Sequence, residues 1–305
     1  MAPDKRKRRL RSPIQRRGGK GNMVGRLLRL VPSHQQYCEP FFGGGSLFFA
    51  KAPAPHETIN DIDEAVTTFF RVLRDHGEEF IQLAALTEYS EALWRECRAR
   101  WREETDPVRK AWRWWVVARM SFAANWGAAW GHTRTQTAGA MPKGVASLLS
   151  CVESLPQVVA RLQGVQISCT DWQRAVMRTD TPDCLHYLDP PYLPSTRIQP
   201  KVYTYEMSEE DHVRLIDFLL SGEVKGKVLL SGYANPLYAR LEEAGWARVD
   251  FRTACHAAGR TVGTGILGKG AATAMQPRIE SVWLDPRTAK ELGIQSGKLF
   301  GHSEL

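Results

Sequence analysis

Short apolar runs recur along the chain and end on glycine, proline or an acidic residue. Most are followed by a stretch whose apolar positions return at helical spacing. Runs of the first kind suit buried strands, and stretches of the second kind suit amphipathic helices. The run from Tyr37 predicts a strand entering Gly43, Gly44 and Gly45, with a helix after them; Met23 to Val31 reads as an earlier helix. A second strand starts at Glu57 and closes on carboxylates, ahead of a helix over Glu64 to Arg74. The third is Val165 to Trp172, ending at Asp171, and the fourth is Cys184 to Leu188. Beyond a segment without periodicity, Leu193 to Met207, Ser208 caps a helix with its apolar stripe at Val213, Ile216, Leu219 and Leu220. Strand Lys227 to Tyr233, helix Pro236 to Ala244, strand Trp246 to Phe251 and strand Ile279 to Leu284 complete the pattern. Strands alternating with helices predict an α/β fold with a mainly parallel sheet covered on both faces.

The rhythm stops between residues 75 and 159. Trp94, Trp101, Trp112, Trp114, Trp115, Trp126 and Trp130 fall here among arginines, and Trp112, Trp115, Val116 and Met120 keep helical spacing. This predicts an inserted helical subdomain with most of those rings in its core. Within it, Gly127 to Gly144 is rich in glycine and threonine and reads as a polar loop or hairpin. It presents His132, Arg134, Gln136 and Lys143, donors suited to phosphates or base edges.

The net charge of +8 over 305 residues points to a polyanionic partner, nucleic acid ahead of membrane, since no run is long and apolar enough to predict a membrane span. Residues 1–11 form a basic arm, with Lys5, Arg6, Lys7, Arg8, Arg9 and Arg11 available to solvent or to phosphates. Cys38, Cys97, Cys151, Cys169, Cys184 and Cys255 are widely spaced. They suggest neither a zinc knuckle nor a disulfide framework, and with no secretory signal a reducing cytoplasm is expected. The histidines show no metal-ligand spacing, and no metal is expected.

The candidate chemistry lies where strands end. The fourth strand stops at Asp189-Pro190-Pro191-Tyr192. The prolines fix their own φ and donate nothing, so the Asp189 carboxylate and the Pro190 carbonyl are held at the strand end, with Tyr192 as an aromatic face beside them. Two acceptors and a ring suit a planar base that carries an amino group. The triple glycine lets the backbone turn sharply and approach a ligand, and an acidic residue closing the second strand suits ribose hydroxyls. Asp61 fits that place, while Asp63 suits a helix cap. The loop Gly18-Gly19-Lys20 opening a helix could cradle an anion or carboxylate. Gly263 to Gly270 nearly spells a phosphate loop, but Gly270 replaces the metal-binding hydroxyl and Pro277 follows closely. A cationic loop near DNA fits better, with Lys269 as a contact and Lys201, in the segment after Tyr192, as another.

With these pieces in order, the chain from Ser12 to about Pro286 resembles the Dam-type N6-adenine DNA methyltransferases of bacteria and phages. The matching pieces are Pro13-Ile14 with Gly18-Gly19-Lys20, Glu39-Pro40-Phe41-Phe42-Gly43-Gly44-Gly45, Asn60-Asp61-Ile62-Asp63, Thr170-Asp171-Trp172, Asp189 to Tyr192, Leu229 to Tyr233 and Arg278 to Trp283. The resemblance implies a Rossmann-like, seven-stranded methyltransferase sheet, with residues 12–74 and 160–305 as the catalytic domain. It implies that residues 75–159 are the target-recognition subdomain, which adds Arg134, Gln136 and Lys143 to the DNA contacts. S-adenosylmethionine would be held by Lys20 with Gly18 and Gly19 at its methionine end. Glu39, Pro40, Phe41 and Gly43 to Gly45 would lie beneath it, with Asp61 on the ribose and Asp171 and Trp172 beside the adenine ring. Asp189 and Pro190 would take the two hydrogens of the target N6, and Tyr192 would stack on the flipped base. Direct in-line methyl transfer on double-stranded DNA by a monomer follows from the same resemblance.

Two positions depart from the family pattern. Arg16 stands where an aromatic residue is usual, and the Asn-x-Pro-x-Gly hairpin that goes with GATC recognition is absent, so GATC is not expected. The rival readings are a methyltransferase for cytosine N4 or another amino group, and a DNA-binding protein that has lost catalysis.

Overall fold

The computed structural model describes residues 9–16, 18–133, 135–196, 204–254, 277–295 and 298–300. These form two compact units, one drawn from the chain up to Val24 and from Phe41 to Ala175, the other from Gly25 to Pro40 and from Val176 onward. In chain order the strands are β1 (Gln36–Glu39), β2 (His56–Asn60), β3 (Thr137–Ala138), β4 (Met141–Pro142), β5 (Val165–Ser168), β6 (Cys184–Leu188), β7 (Lys227–Gly232), β8 (Ala247–Ala254), β9 (Pro277–Leu284) and β10 (Lys298–Phe300). The helices are α1 (Val24–Leu27), α2 (Ser46–Ala50), α3 (Glu64–Asp75), α4 (Gly77–Ala85), α5 (Glu91–Arg100), α6 (Pro107–Met120), α7 (Lys143–Leu162), α8 (Trp172–Thr179), α9 (Glu209–Leu220), α10 (Pro236–Glu243) and α11 (Pro286–Leu292). The seven strands expected from the sequence are present, together with the short edge strand β10, and the fold is the expected α/β one with mainly parallel strands.

In the second unit the strand order is β10-β8-β9-β7-β6-β1. β1, β6 and β7 run parallel, as do β8 and β10, while β9 runs antiparallel to both β7 and β8. Every residue of β6 is buried, which accounts for its unbroken apolar sequence. Because β1, β6 and β7 are parallel, Glu39, Asp189 and Tyr233 follow their C-terminal ends at one edge, where ligands gather in α/β sheets. Helix α9 opens with a capping box in which Ser208 and Asp211 satisfy each other's backbone N–H groups.

In the first unit β2 and β5 pair in parallel from Glu57 against Val165 to Asn60 against Ser168. The core is aromatic: Phe42, Phe48, Phe49 and Phe70 meet edge-on or tilted, and Phe69 and Phe80 extend the cluster to Trp114 and Trp115. The segment 75–159 is helical as expected. Its α4 and α6 pack on α3, and α7 packs on α3 and α4, while α3 also packs on β5. Trp94, Trp114 and Trp115 are buried, whereas Trp101, Trp112, Trp126 and Trp130 are half-buried. Helix α7 is long and apolar enough to cross a membrane by length and composition. Its buried positions Leu148, Cys151, Leu155, Val158 and Leu162 keep the one-sided spacing of a helix laid on a protein core.

Two expected elements differ in detail. The Met23 to Val31 helix breaks into the short α1 and the turn Leu28–Leu30, with a separate turn, Lys20–Asn22, before it. The third strand stops at Ser168 instead of continuing to Trp172. The Asn60 side chain accepts the Thr170 N–H at 3.0 Å and donates to the Thr170 carbonyl at 3.0 Å, so those groups leave the ladder. Trp172 then starts α8, with Asp171 accepting the Gln173 N–H at 2.9 Å.

Candidate active site

In the first unit, three chain segments meet around Asp61. The loop after β1 turns through Gly43 and Gly45, whose φ of 50° and 61° lie in the left-handed region that glycine adopts without strain. A Cβ on Gly45 would lie 2.3 Å from the Phe42 ring, so glycine is required there for close packing as well. Gly43 donates its N–H to Asp61 Oδ2 at 2.7 Å, and the Asp63 N–H reaches Asp61 Oδ1 at 2.9 Å. Burial pushes the Asp61 carboxyl up from the ordinary Asp range, opposed by the Arg16 charge and by these two N–H groups. Asp63 caps α3 as expected, accepting the Ala65 N–H at 3.1 Å, and it also binds Arg16 Nη2 at 3.0 Å.

Lys20 is buried and its Nζ donates to the Gly18 carbonyl at 3.0 Å; Gly18 has φ 79° and Gly19 donates to the Arg16 carbonyl at 3.2 Å. This loop is anchored from below, since the Pro13 carbonyl accepts from Trp115 Nε1 at 3.0 Å and from Cys151 Sγ at 3.3 Å. Phe41 stacks on Trp172 with ring centroids 6.2 Å apart and an angle of 27°. Within the first unit, contacts thus join Gly43 to Asp61, Lys20 to Gly18, and Phe41 to Trp172.

In the second unit, the buried Glu39 at the end of β1 accepts the Tyr37 hydroxyl at 2.7 Å, with Pro40 also buried behind it. Asp189 and Pro190 follow β6. The Tyr187 hydroxyl meets Ser231 Oγ at 3.0 Å and is pushed well above the ordinary tyrosine range by burial, then by the Asp189 charge, with Glu39 and Glu280 adding to it. Burial and the Asp189 charge raise Tyr238 as well, and its hydroxyl meets His212 Nδ1 at 3.0 Å. Asp189 is therefore a carboxylate felt by two buried phenols, with Tyr187 beside it in β6 and Tyr238 brought in by α10.

Tyr192 is only 5% exposed. Its ring meets Tyr233 edge-on at 4.6 Å, and its hydroxyl donates to Glu280 Oε2 at 3.3 Å. Neither partner, nor the Asn60 clamp, nor the bond from Arg16 to Asp63 is marked in the local sequence. Each links residues distant in the chain, and only the glycine turns and acidic strand ends leave a local signature.

Among the expected DNA contacts, Gln136 and Lys143 are exposed at the base of the β3–β4 hairpin, just before β3 and at the start of α7, where the Lys143 N–H bonds the Gln136 carbonyl at 3.0 Å. Arg134, Lys201, Lys269 and the 263–270 loop lie outside the described residues, as do Lys5 to Arg8 of the arm.

A mainly parallel α/β sheet, with a glycine turn after β1, Asp61 after β2 and Asp189 after the buried β6, has the framework of a Rossmann-like methyltransferase. The model of the D12 class N6 adenine-specific DNA methyltransferases matches residues 17–253, and the chain belongs to that family: it is an enzyme that methylates N6 of adenine in DNA. A type II methyltransferase of Lactococcus lactis subsp. cremoris, M1.LlaDCHI, is 29% identical over 242 residues, covering 73% of this chain and 81% of that protein. The DNA N-6-adenine-methyltransferase of Escherichia phage P1 is 24% identical over 250 residues, covering 79% of this chain but 32% of its own length. The family implies a methyl donor and DNA as substrate.

Proposed function

We propose that the donor is S-adenosylmethionine, held by the first-unit residues around Asp61, and that the acceptor is an adenine turned out of double-stranded DNA and gripped by Asp189, Pro190 and Tyr192. The donor set fits. Each Asp61 oxygen accepts one backbone N–H, which fixes the carboxylate and leaves lone pairs for ribose hydroxyls. A Cβ on Gly43 would meet nothing within 4 Å, so the glycine turn has open space on its Cβ side. Lys20 with Gly18 and Gly19 would hold the methionine end, Glu39 and Pro40 would support the turn, and Asp171 with the Phe41–Trp172 pair would border the adenine ring. Bound there, the donor supplies a methyl group on a positive sulfonium, open to direct in-line transfer with no covalent enzyme intermediate.

The protein's own contribution is to prepare the nitrogen. The adenine amino group is a weak nucleophile because its lone pair is delocalised into the ring. Asp189 and the Pro190 carbonyl accept its two hydrogens and draw them out of the ring plane, which localises the lone pair. No proton need leave beforehand, since the nitrogen becomes strongly acidic once methylated. Extruding the base costs a few kcal/mol, offset by contact with Tyr192 and by phosphate contacts from the basic surface. Residues 75–159, with Gln136 and Lys143 at the base of their exposed hairpin, would read the target. The enzyme would work as a monomer in the cytoplasm of a bacterial or phage-infected cell.

The observation that carries this reading is Asp189 standing, with Pro190 and Pro191 after it, at the C-terminal end of the fully buried parallel strand β6. Asp189→Ala is expected to abolish N6-methyladenine in digested DNA, measured by mass spectrometry, while DNA binding persists; full activity in that variant would end the proposal. Asp61→Ala should weaken donor binding in calorimetry more than it slows single-turnover transfer.

A further inference from the structure

Arg16 is a polar intrusion into the loop that carries Gly18 to Lys20. Its guanidinium reaches Asp63 Oδ2 at 3.0 Å, with the two side chains only 20% and 10% exposed. Asp63 is also the α3 cap and, through its N–H, a ligand of Asp61. Arg16, Asp63, Asp61 and Gly43 thus form one connected chain across three loops. We infer that Arg16 is a positioning residue for the methyl-donor site: its ion pair with Asp63 sets a fixed positive charge beside Asp61 and ties the Gly18–Lys20 loop to the end of β2.

This rests on the assignment of Asp61 to the donor ribose. A buried carboxylate next to a second one, Asp63, favours the neutral form, and a permanent cation nearby opposes that. Among the described residues, Arg16 and Asp63 are charged side chains that act on Asp61. From the neighbouring segments, Gly43 brings its N–H and β5 brings the Ser168 carbonyl, which takes the Asp61 N–H at 3.4 Å. Lys20 points its ammonium to Gly18, and Asp171 turns a carboxylate oxygen to the Gln173 N–H. A neutral Asp61 keeps a proton on one oxygen and loses acceptor strength toward hydroxyls, so donor affinity should fall in acid.

The test is calorimetric titration of S-adenosylmethionine into the full-length protein across the acid range. In the parent, affinity should fall as pH drops through the Asp61 transition. Arg16→Met should move that fall upward by about one pH unit, and Arg16→Lys should restore it. Asp63→Asn, which keeps a capping oxygen and removes the like charge, should move it downward. Asp61→Asn should bind weakly and flatten the profile. If Asp61→Asn flattens the profile but Arg16→Met leaves it where it was, the role of Arg16 is overturned while the ribose assignment stands. If Asp61→Asn changes neither affinity nor profile, the ribose assignment itself fails. Upward shifts in both Arg16→Met and Asp63→Asn would make the ion pair, and not the arginine charge on Asp61, the determinant, and would also overturn the inference. Should Arg16→Met fail to fold, Arg16→Gln takes its place: an upward shift supports the role of Arg16 and an unmoved profile refutes it.

Discussion

The glycine turn after β1 allows a controlled comparison, because Gly43 and Gly45 share a left-handed backbone but differ in surroundings. An alanine at either position carries the left-handed penalty, roughly 1–2 kcal/mol. At Gly43 (φ 50°) the new methyl group would meet nothing within 4 Å, so that penalty is the whole cost. At Gly45 (φ 61°) it would lie 2.3 Å from Phe42 Cζ and 2.5 Å from Cε2. Phe42 cannot swing aside easily, being 3% exposed and packed at 4.8 Å from Phe70 and 5.5 Å from Phe48. Overpacking of this kind adds about 1–3 kcal/mol. At roughly 2–4 °C per kcal/mol for a unit of this size, Gly43→Ala should lower the melting temperature by a few degrees and Gly45→Ala by about twice as much. Differential scanning calorimetry reads the difference directly. Gly45→Ala should also weaken S-adenosylmethionine binding more than Gly43→Ala, because moving Phe42 drags the Gly43 N–H away from Asp61. Equal melting points in the two variants would refute the packing argument.

Glu57 receives hydrogen bonds from Lys51 at 2.6 Å and from Arg161, all three groups being nearly buried. Burial alone would raise its pKa, yet Arg161, Lys51 and the Ala54 N–H bring it below the ordinary 4.5. Its stabilisation is therefore complete above about pH 4.5 and lost as pH falls through the lower folded value. Glu57→Gln should cost about 3–5 kcal/mol near neutrality, a gap that urea melts should find narrowing in acid. Lys143→Ala should weaken DNA binding and reduce the slope of log affinity against log salt by about 1, whereas an unchanged slope would remove Lys143 from the phosphates. Glu280→Ala, which deprives the Tyr192 hydroxyl of its acceptor, should raise the KM for DNA several-fold with donor affinity unchanged. Glu280→Gln keeps an acceptor oxygen and should stay near the parent, so equal losses in both would show that the bond to Tyr192 is not what matters.

The sequence by itself determined the fold class and where its main strands end. Buried parallel strands need unbroken apolar runs, so β6 was legible to the residue, and the ends of β2 and β6 were marked by Asp61 and by Asp189 with its prolines. These are local constraints of solvation and backbone geometry, and they leave local signatures. Tertiary structure alone decided the partners. Asn60 ends β5 from 110 residues away, Arg16 binds Asp63, and Trp115 of α6 holds the Pro13 carbonyl beneath the Gly18–Lys20 loop. Tyr192, read as an open stacking face, is enclosed by Tyr233 and Glu280. The compact units cut between Pro40 and Phe41 and within α8, so residues 75–159 share a unit with β2 and β5. Which distant groups meet depends on how whole helices and strands pack, and no periodicity within a single segment encodes that choice.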